Sequence, residues 1–228
     1  MLAIILAGVA PGLALLSYFY LRDKYEPEPI SLVIRTFIFG ALLIFPISFV
    51  EYIFETENLI RTDIGTVLFS SGILEEISKW LVLFFVAYRN AEFDEPFDGI
   101  VYGTSVALGF ATAENIVYLI TNGVDDALNR ALLPVSSHAL FGVIMGFYMS
   151  KVKFTQGKKL FLIVLSLVVP SVFHAVFNYL MLKEDSWVMT MTPFMIFLWL
   201  LGMEKVRRAE FLSKNHFKKE QSFKKGFL

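Results

Sequence analysis

The sequence predicts an all-α, polytopic integral membrane protein, a bundle of about seven transmembrane helices. The chain has 228 residues and is 56% hydrophobic, whereas soluble domains are typically about 45–50% apolar. Its mean hydropathy is +0.63. The apolar residues form long blocks separated by short charged segments. This pattern is typical of membrane helices and differs from that of a soluble core.

Seven apolar spans follow one another along the chain with short connections. A helix needs roughly 20 residues to cross a hydrocarbon core of about 30 Å, and most of the spans reach that length. The first span runs directly into Arg22 without a basic segment before it, which predicts a retained helix and no cleaved signal peptide. The last span is the shortest. The predicted spans are 1–21, 31–51, 66–88, 98–120, 131–150, 160–182 and 187–203.

The distribution of Lys and Arg predicts the orientation of the bundle. Most basic residues follow spans one, three, five and seven, whereas only Arg61, Arg130 and Lys183 lie in the other loops. The positive-inside rule then places the N-terminus outside the cell and the C-terminus in the cytoplasm. Residues 1–203 are the predicted transmembrane domain, and 204–228 are a basic cytoplasmic tail. The tail fits a topology determinant that attracts anionic lipid better than a docking site for a partner.

Charge and cysteine content exclude several classes of protein. The net charge is −1, so no overall positive field attracts nucleic acid. The chain has no cysteine, which excludes disulfides, cysteine-ligated zinc and a cysteine nucleophile.

Polar and ionisable side chains lie inside several predicted spans. A charged side chain at the centre of a bilayer costs about 2.5–3.5 kcal/mol on insertion scales, so such residues usually face the bundle interior and mark a function. Arg35 is set aside because it lies near a span end and can extend to the surface. The candidates are Glu75, Glu76, Lys79, Asp98, Glu114, Asn115, Ser136, Ser137, His138, His174 and Asn178.

Four of these residues share one depth. Glu75, Glu114, His138 and His174 lie about six to nine residues from the same ends of four antiparallel spans. At about 1.5 Å per residue, this depth is roughly 9–14 Å below one surface. A single buried histidine is more often a satisfied core residue than a catalyst. A layer of carboxylates and imidazoles from four helices predicts a functional site.

Local spacing adds supporting residues to this layer. Lys79 lies four residues after Glu75 and three after Glu76, so it can pair with either carboxylate on one helix face. Such a pair would also be a neutralised structural contact. Asn178 lies one helical turn after His174 and can share its face.

Small residues predict close helix contact in the fourth span. Gly99 and Gly103 form a small-xxx-small pattern, and Ala107 and Ala111 extend the same face. This pattern allows two membrane helices to approach closely. We expect the fourth span to pack tightly against a neighbour.

The polar layer could hydrolyse a peptide bond in two ways. In the first, Glu75 and Glu76 act as a general base and its partner that activate water, while imidazole or amide donors stabilise the oxyanion. In the second, Glu76, His138 and His174 bind a divalent metal such as zinc as two imidazoles and one carboxylate. The sequence has no H-E-x-x-H motif, so spacing alone does not select the metal.

Several separated motifs occur in the order seen in one known family. They are GILEEISKW at 72–80, FDGIVYG at 97–103, and GFATAEN at 109–115. With these runs the chain resembles the PrsW family of membrane proteases. The stretches APGLALLSYFY at 10–20 and RALLPVSSHAL at 130–140 are similar to the bacillus-type members. The resemblance extends from the N-terminus to about residue 203.

The resemblance to this family implies a function and a site. Members are bacterial cell-membrane proteases that make the first, extracytoplasmic-side cut in a single-pass anti-sigma factor, which leads to activation of an extracytoplasmic-function sigma factor under envelope stress. The family is similar to the CAAX-protease superfamily, whose H-x-x-x-N motif matches His174 and Asn178. Its E-E-x-x-x-R motif differs here, since Lys79 comes one position early. Its F-x-x-x-H motif is not matched at His138, since Pro134 lies four residues before.

Two other functions are weighed against the hydrolase. Intramembrane Glu, Lys and His also form the proton relays of a proton-coupled transporter, where carboxylates lie at several depths and helices are interrupted in paired positions. A non-catalytic scaffold or immunity protein would use the polar layer only to fix helix packing. The shared depth and the lack of a visible repeat argue against the transporter, and the family resemblance implies an intramembrane protease. Its expected catalytic residues are Glu75, Glu76, His138, His174 and Asn178, supported by Lys79, Asp98, Glu114 and Asn115.

Overall fold

The computed structural model describes residues 1–57, 59–60, 62, 65, 72–182 and 187–225, and its regular structure is helical throughout. Two of the helices are extended at their C-terminal ends by π-helical turns, Leu83–Tyr88 and Ala131–Val135. The helices are α1 (Leu2–Tyr20), α2 (Ile30–Leu42), α3 (Ile44–Thr56), α4 (Glu75–Val82), α5 (Asp98–Asn122), α6 (Ala127–Arg130), α7 (Ser136–Phe154), α8 (Lys159–Met181) and α9 (Trp187–Lys225).

Six helical segments in the described part of the chain are long and apolar enough to cross a membrane, which confirms the predicted fold class. They are Leu2–Tyr20, Ile30–Thr56, Asp98–Asn122, Ala127–Phe154, Lys159–Met181 and Val188–Lys219. Of the predicted span 66–88, residues 66–71 lie outside the described residues, as do Arg61 and Lys183. The remainder forms α4 and its π-helical turn. A total of seven spans stays a prediction.

The second span is longer than predicted and is broken in the middle. Helix α2 ends at Leu42 and α3 continues to Thr56, five residues beyond the predicted end at Glu51. Pro46 lies in the first turn of α3 and has no N–H to donate to the carbonyl of Leu42, so the helix is interrupted there. The extension matters because it keeps Glu51 within a helix of the bundle.

Helix α5 is the centre of the bundle and packs against α1, α2 and α7. Its contact with α7 is closest at small residues, as the spacing predicted. A Cβ on Gly99 or Gly146 would overlap the backbone carbonyl of the other residue, and Gly103 meets Gly142 in the same way. The two backbones can approach this closely only without side chains. Ala107 continues the contact face against Gly142.

Helix α9 is one uninterrupted helix of 39 residues that runs through the predicted domain boundary at residue 203. Its second half packs along the end of the bundle where α1 ends. Arg22 pairs with Glu210 at 2.8 Å, and the rings of Tyr25 and Phe217 stack with centroids 5.5 Å apart. The basic segment is therefore helical and attached to the bundle along much of its length.

Candidate active site

Helix α4 presents two carboxylates and an ammonium on one face. The Nζ of Lys79 lies 3.0 Å from Oε2 of Glu75 and 2.8 Å from Oε1 of Glu76. Lys79 is 1% exposed and Glu76 is fully buried, whereas Glu75 retains 8% exposure. Further hydrogen bonds to its polar atoms stabilise a buried ion pair of this kind. Two other helices contribute such bonds here.

His138 on α7 and His174 on α8 complete a four-residue cluster with Glu75 and Glu76. His174 donates from Nδ1 to Oε1 of Glu76 at 2.9 Å. His138 accepts at Nδ1 from Lys79 at 3.1 Å, and the two imidazole centroids are 4.9 Å apart. The structure therefore brings together three of the predicted spans at the shared depth that the sequence indicated.

Glu114 fixes the tautomer of His138. Because Nδ1 of His138 accepts from the Lys79 ammonium, its proton is on Nε2, which donates to Oε2 of Glu114 at 3.1 Å. The other oxygen of Glu114 accepts from Nη2 of Arg130 at 3.1 Å. Arg130 also donates from Nε to Asn115 at 3.1 Å. A continuous hydrogen-bond chain thus orients the His138 imidazole through its Nε2 atom.

A cavity of about 590 Å³ opens beside this cluster. Glu75, Glu114, His138, His174 and Asn178 line it, and Glu76 lies behind them. The wall also includes residues near the end of α5, the start of the α6–α7 segment and the end of α8, so the cavity lies toward one end of the bundle. The cavity is large enough to admit a segment of extended peptide backbone.

Two sets of predicted residues lie elsewhere. Asp98 begins α5, sixteen residues before Glu114, so about 24 Å of helix separates it from the cluster. The hydroxyls of Ser136 and Ser137 donate to backbone carbonyls of the preceding turn. These serines provide hydrogen bonds to carbonyl groups of the π-helical turn around Pro134 and take no part in the cluster.

Glu51 and Arg130 are site residues that the sequence reasoning missed. Glu51 lines the cavity from α3, and Arg130 binds the Glu114 carboxylate. Glu51 was only the last residue of a predicted span and was given no role. Arg130 was counted only as a loop charge, although its guanidinium also lies over the ring of Tyr118 at 4.2 Å. Both residues lie at or next to the end of a predicted span, at the same end of the bundle as the polar layer. That position is the sequence signal that could have identified them.

The cluster fits a divalent metal. Glu75, Glu76, His138 and His174 each offer a ligand atom, and all four atoms lie within 4.8 Å of one another. The Oε2 atom of Glu76 is buried without a hydrogen-bond partner, so this oxygen is free to accept a cation. Two imidazoles with carboxylates are a donor set that zinc accepts. The Lys79 ammonium lies among these atoms and has to move aside when a metal binds.

Comparison with known proteins also indicates a metal-dependent enzyme. The model of a family described as PrsW family intramembrane metalloprotease matches residues 28–202. Protease PrsW of Bacillus subtilis is 52% identical over 210 residues, which cover 92% of this chain and 96% of that protein. Protease PrsW of Geobacillus kaustophilus is 51% identical, with 92% and 93% covered. Protease PrsW of Clostridioides difficile is 30% identical, with 96% and 94% covered.

No solved structure matches the chain. The match to the family model ends at residue 202, next to the point where the predicted transmembrane domain ends. The predicted resemblance, the fold class and the assignment as a membrane-embedded hydrolase are confirmed by these relatives. The chain belongs to the PrsW family of intramembrane metalloproteases.

Proposed function

We propose that this protease makes the site-1 cut in a single-pass membrane anti-sigma factor and so activates an extracytoplasmic-function sigma factor under envelope stress. The observation that supports the proposal is the cavity lined by Glu75, His138 and His174. It combines water-activating and metal-ligating groups with room for a peptide. The curated relatives carry the printed name of a protease, and the choice of substrate is our proposal.

Glu76, His138 and His174 are the proposed metal ligands. Glu76 is fully buried behind the cavity wall, where it can hold a cation but cannot reach a substrate. His138 is oriented by Glu114, as metal-binding histidines usually are by a carboxylate. A bound zinc ion would polarise the scissile carbonyl and promote ionisation of water.

Glu75 is the proposed general base because it is the more exposed member of the carboxylate pair and lines the cavity. Its carboxylate takes a proton from water as the water oxygen bonds to the carbonyl carbon. The same proton is then donated to the departing amine nitrogen as the C–N bond breaks. Asn178 lines the cavity and can donate its amide N–H to the developing oxyanion. These steps produce a new carboxylate and a new amine.

The proposed orientation places this chemistry on the outer side of the bacterial membrane. With the N-terminus outside and the C-terminus in the cytoplasm, the ends of α1 and α5 lie on opposite sides, and the cavity near Thr121 and Arg130 lies toward the outer surface. A cut there would fall in the stalk between the ectodomain and the transmembrane helix of a single-pass substrate. The basic half of α9 then extends into the cytoplasm.

The test is a cleavage assay with purified protein in liposomes. The substrate is a single-pass anti-sigma factor from the same organism, labelled at both ends. Wild type is compared with Glu75→Gln, Glu76→Gln and His174→Ala, each with and without a chelator. Glu55→Gln is the matched control, because this carboxylate is exposed on the same end of the bundle.

The proposal expects cleavage by wild type and Glu55→Gln and loss of cleavage in the three site variants. Chelator sensitivity that zinc reverses would support the metal assignment. Normal cleavage by folded Glu75→Gln and His174→Ala would show that the site is assigned wrongly. If wild type cuts other single-pass proteins but no anti-sigma factor, the substrate class is wrong and the protease site stands.

A further inference from the structure

We propose that Asp23, Glu95 and Asp98 form a second cation site that binds a hard divalent ion, Mg²⁺ or Ca²⁺, at the opposite end of the bundle from the catalytic cluster. Asp23 follows α1, Glu95 precedes α5, and Asp98 is the first residue of α5. Three segments that are far apart in sequence therefore contribute one carboxylate each. The site is separate from the proteolytic chemistry and does not depend on the proposed substrate.

The geometry of these carboxylates is that of a ligand set. One oxygen from each of Asp23, Glu95 and Asp98 lies within 4.8 Å of the others. All three side chains are buried, with exposures of 6%, 1% and 0%. Three carboxylates this close repel one another strongly where water cannot screen them. A shared cation would remove that repulsion.

Their oxygen atoms are also left without partners. No hydrogen bond of ordinary geometry reaches either oxygen of Asp23 or of Glu95, or Oδ1 of Asp98, although the backbone N–H groups of Tyr25 and Glu28 lie close to the Asp23 carboxylate. The second oxygen of Asp98 accepts from the backbone N–H of Glu95 at 2.6 Å, which fixes the loop but adds no charge. A buried carboxylate without a partner is costly, so five such atoms at one place indicate a ligand.

Lys153 is close enough to the cluster to interact electrostatically with Asp98. Its Nζ donates to the backbone carbonyls of Tyr88 and Asn90 at 3.3 and 3.5 Å, and it lies 5.1 Å from the ring centroid of Phe93. It forms no ion pair with the three carboxylates in the described part of the chain. Within those residues, no direct ion pair therefore neutralises the cluster.

Further oxygen atoms surround the cluster. The carboxylate of Glu28 accepts a hydrogen bond from the Tyr102 hydroxyl and lies beside Asp98. The Ser213 hydroxyl lies beside Glu95, is buried, and belongs to the cytoplasmic half of α9. Carboxylates and neutral oxygens without nitrogen or sulfur are the ligands that Mg²⁺ and Ca²⁺ prefer.

Such a cation would join the α1–α2 connection, the segment before α5 and the extension of α9. The competing state is neutralisation by protons, since burial raises the pKa of the Glu95 carboxyl to about 9. These two states predict opposite effects of removing one carboxylate. Loss of a ligand weakens the binding of a stabilising cation, whereas loss of one protonated carboxyl group leaves stability unchanged or improves it.

Terbium(III) is a suitable probe because it binds calcium and magnesium sites and emits when a nearby tyrosine is excited. Tyr102 contacts Glu28 at the cluster and can sensitise it. The full chain is purified in detergent in the Glu76→Gln background, which removes a ligand of the catalytic cluster. Glu95→Gln is compared with Glu92→Gln, whose carboxylate is exposed in the same segment. Mg²⁺ and Ca²⁺ are then used as competitors, and the midpoint of thermal unfolding is measured with each.

The proposal expects saturable terbium emission that Mg²⁺ or Ca²⁺ displaces, and a rise in the unfolding midpoint of about 5 °C at a hundredfold excess over the Kd. Glu92→Gln should keep both effects, and Glu95→Gln should weaken binding at least about tenfold. If Glu95→Gln does not fold, Asp98→Asn replaces it. Equal terbium binding by Glu95→Gln and Glu92→Gln would overturn the proposal. An unfolding midpoint of the Glu76→Gln protein that neither Mg²⁺ nor Ca²⁺ raises would also overturn it.

Discussion

At the scale of the residue, two adjacent glutamates differ in exposure and therefore in the role we assign to them. Glu75 lines the cavity and is 8% exposed, whereas Glu76 is fully buried and bonds to both Lys79 and His174. Neighbours on a helix point about 100° apart, so one can face the substrate while the other faces the core. The two positions should respond differently to the same substitution.

We expect Glu75→Gln to lower kcat at least about 100-fold while leaving zinc binding within about threefold of wild type, because it removes the general base and keeps the buried ligand. Glu76→Gln should lose both zinc and activity. Zinc content by mass spectrometry and single-turnover cleavage measure the two effects. Equal loss of zinc in both variants would place Glu75 among the metal ligands and would refute its assignment as a separate base.

A second prediction concerns the carboxylate behind His138. Glu114→Gln should lower zinc affinity and cleavage by about 10- to 100-fold, since an amide cannot hold the imidazole in one tautomer as a carboxylate does. Glu114→Asp should restore part of both. Zinc competition with a chromogenic chelator gives the affinity independently of activity. Unchanged zinc affinity in Glu114→Gln would leave Glu114 with a packing role only.

The shared depth of Glu75, Glu114, His138 and His174 could be predicted from sequence because helical rise converts position into depth. The contacts within that layer could not, since they depend on how each helix is rotated. Arg130 illustrates the limit, because its bond to Glu114 spans sixteen residues and a turn. Asp98 shows the same limit in reverse, since a charge within a predicted span proved to be far from the cluster.

At the scale of the element, the contact between α5 and α7 depends on glycines. Gly146 packs against the backbone carbonyl of Gly99, and backbone atoms cannot yield to a new side chain as a flexible side chain can. The small-xxx-small spacing in α5 was visible in the sequence. The break between α2 and α3 was missed because hydropathy is continuous across it, although Pro46 marks its position.

We expect Gly146→Leu to abolish the folded bundle, because overpacking a close helix contact costs about 1–3 kcal/mol or more and here the obstacle is backbone. Val164→Leu is the matched control, since Val164 is 46% exposed on α8. Monodispersity in detergent and the thermal unfolding midpoint measure the outcome. A monodisperse Gly146→Leu protein with an unchanged midpoint would contradict the packing described here.

At the scale of the whole molecule, the fold class was predictable because long apolar blocks admit few alternatives to membrane helices. The number of spans was harder to predict, because the third span carries three charged residues. Part of that span also lies outside the described residues, so the structure does not test the count. Orientation rests on the distribution of Lys and Arg. It is open to direct measurement because the chain has no cysteine of its own.

Single cysteines should report which side of the membrane each end of the bundle faces. Asp125→Cys lies near the cavity end, in the connection after α5, and Gln156→Cys lies at the other end, after α7. In intact cells a membrane-impermeant maleimide should label Asp125→Cys, and it should reach Gln156→Cys only after lysis. The reverse pattern would invert the proposed topology and move the cut to the cytoplasmic side.

The position of the Lys79 ammonium has a consequence for how the protein is made. A newly synthesised helix with two bare carboxylates would partition poorly into lipid, and an ammonium one turn away neutralises one of them before other helices arrive. We therefore expect the protease to be inserted and assembled before it binds a metal. In a later step, a metal ion would then take the place of the Lys79 ammonium beside the carboxylates. Under this scheme the zinc supply of the cell sets the fraction of mature enzyme, and the amount of membrane-inserted protein does not change with it.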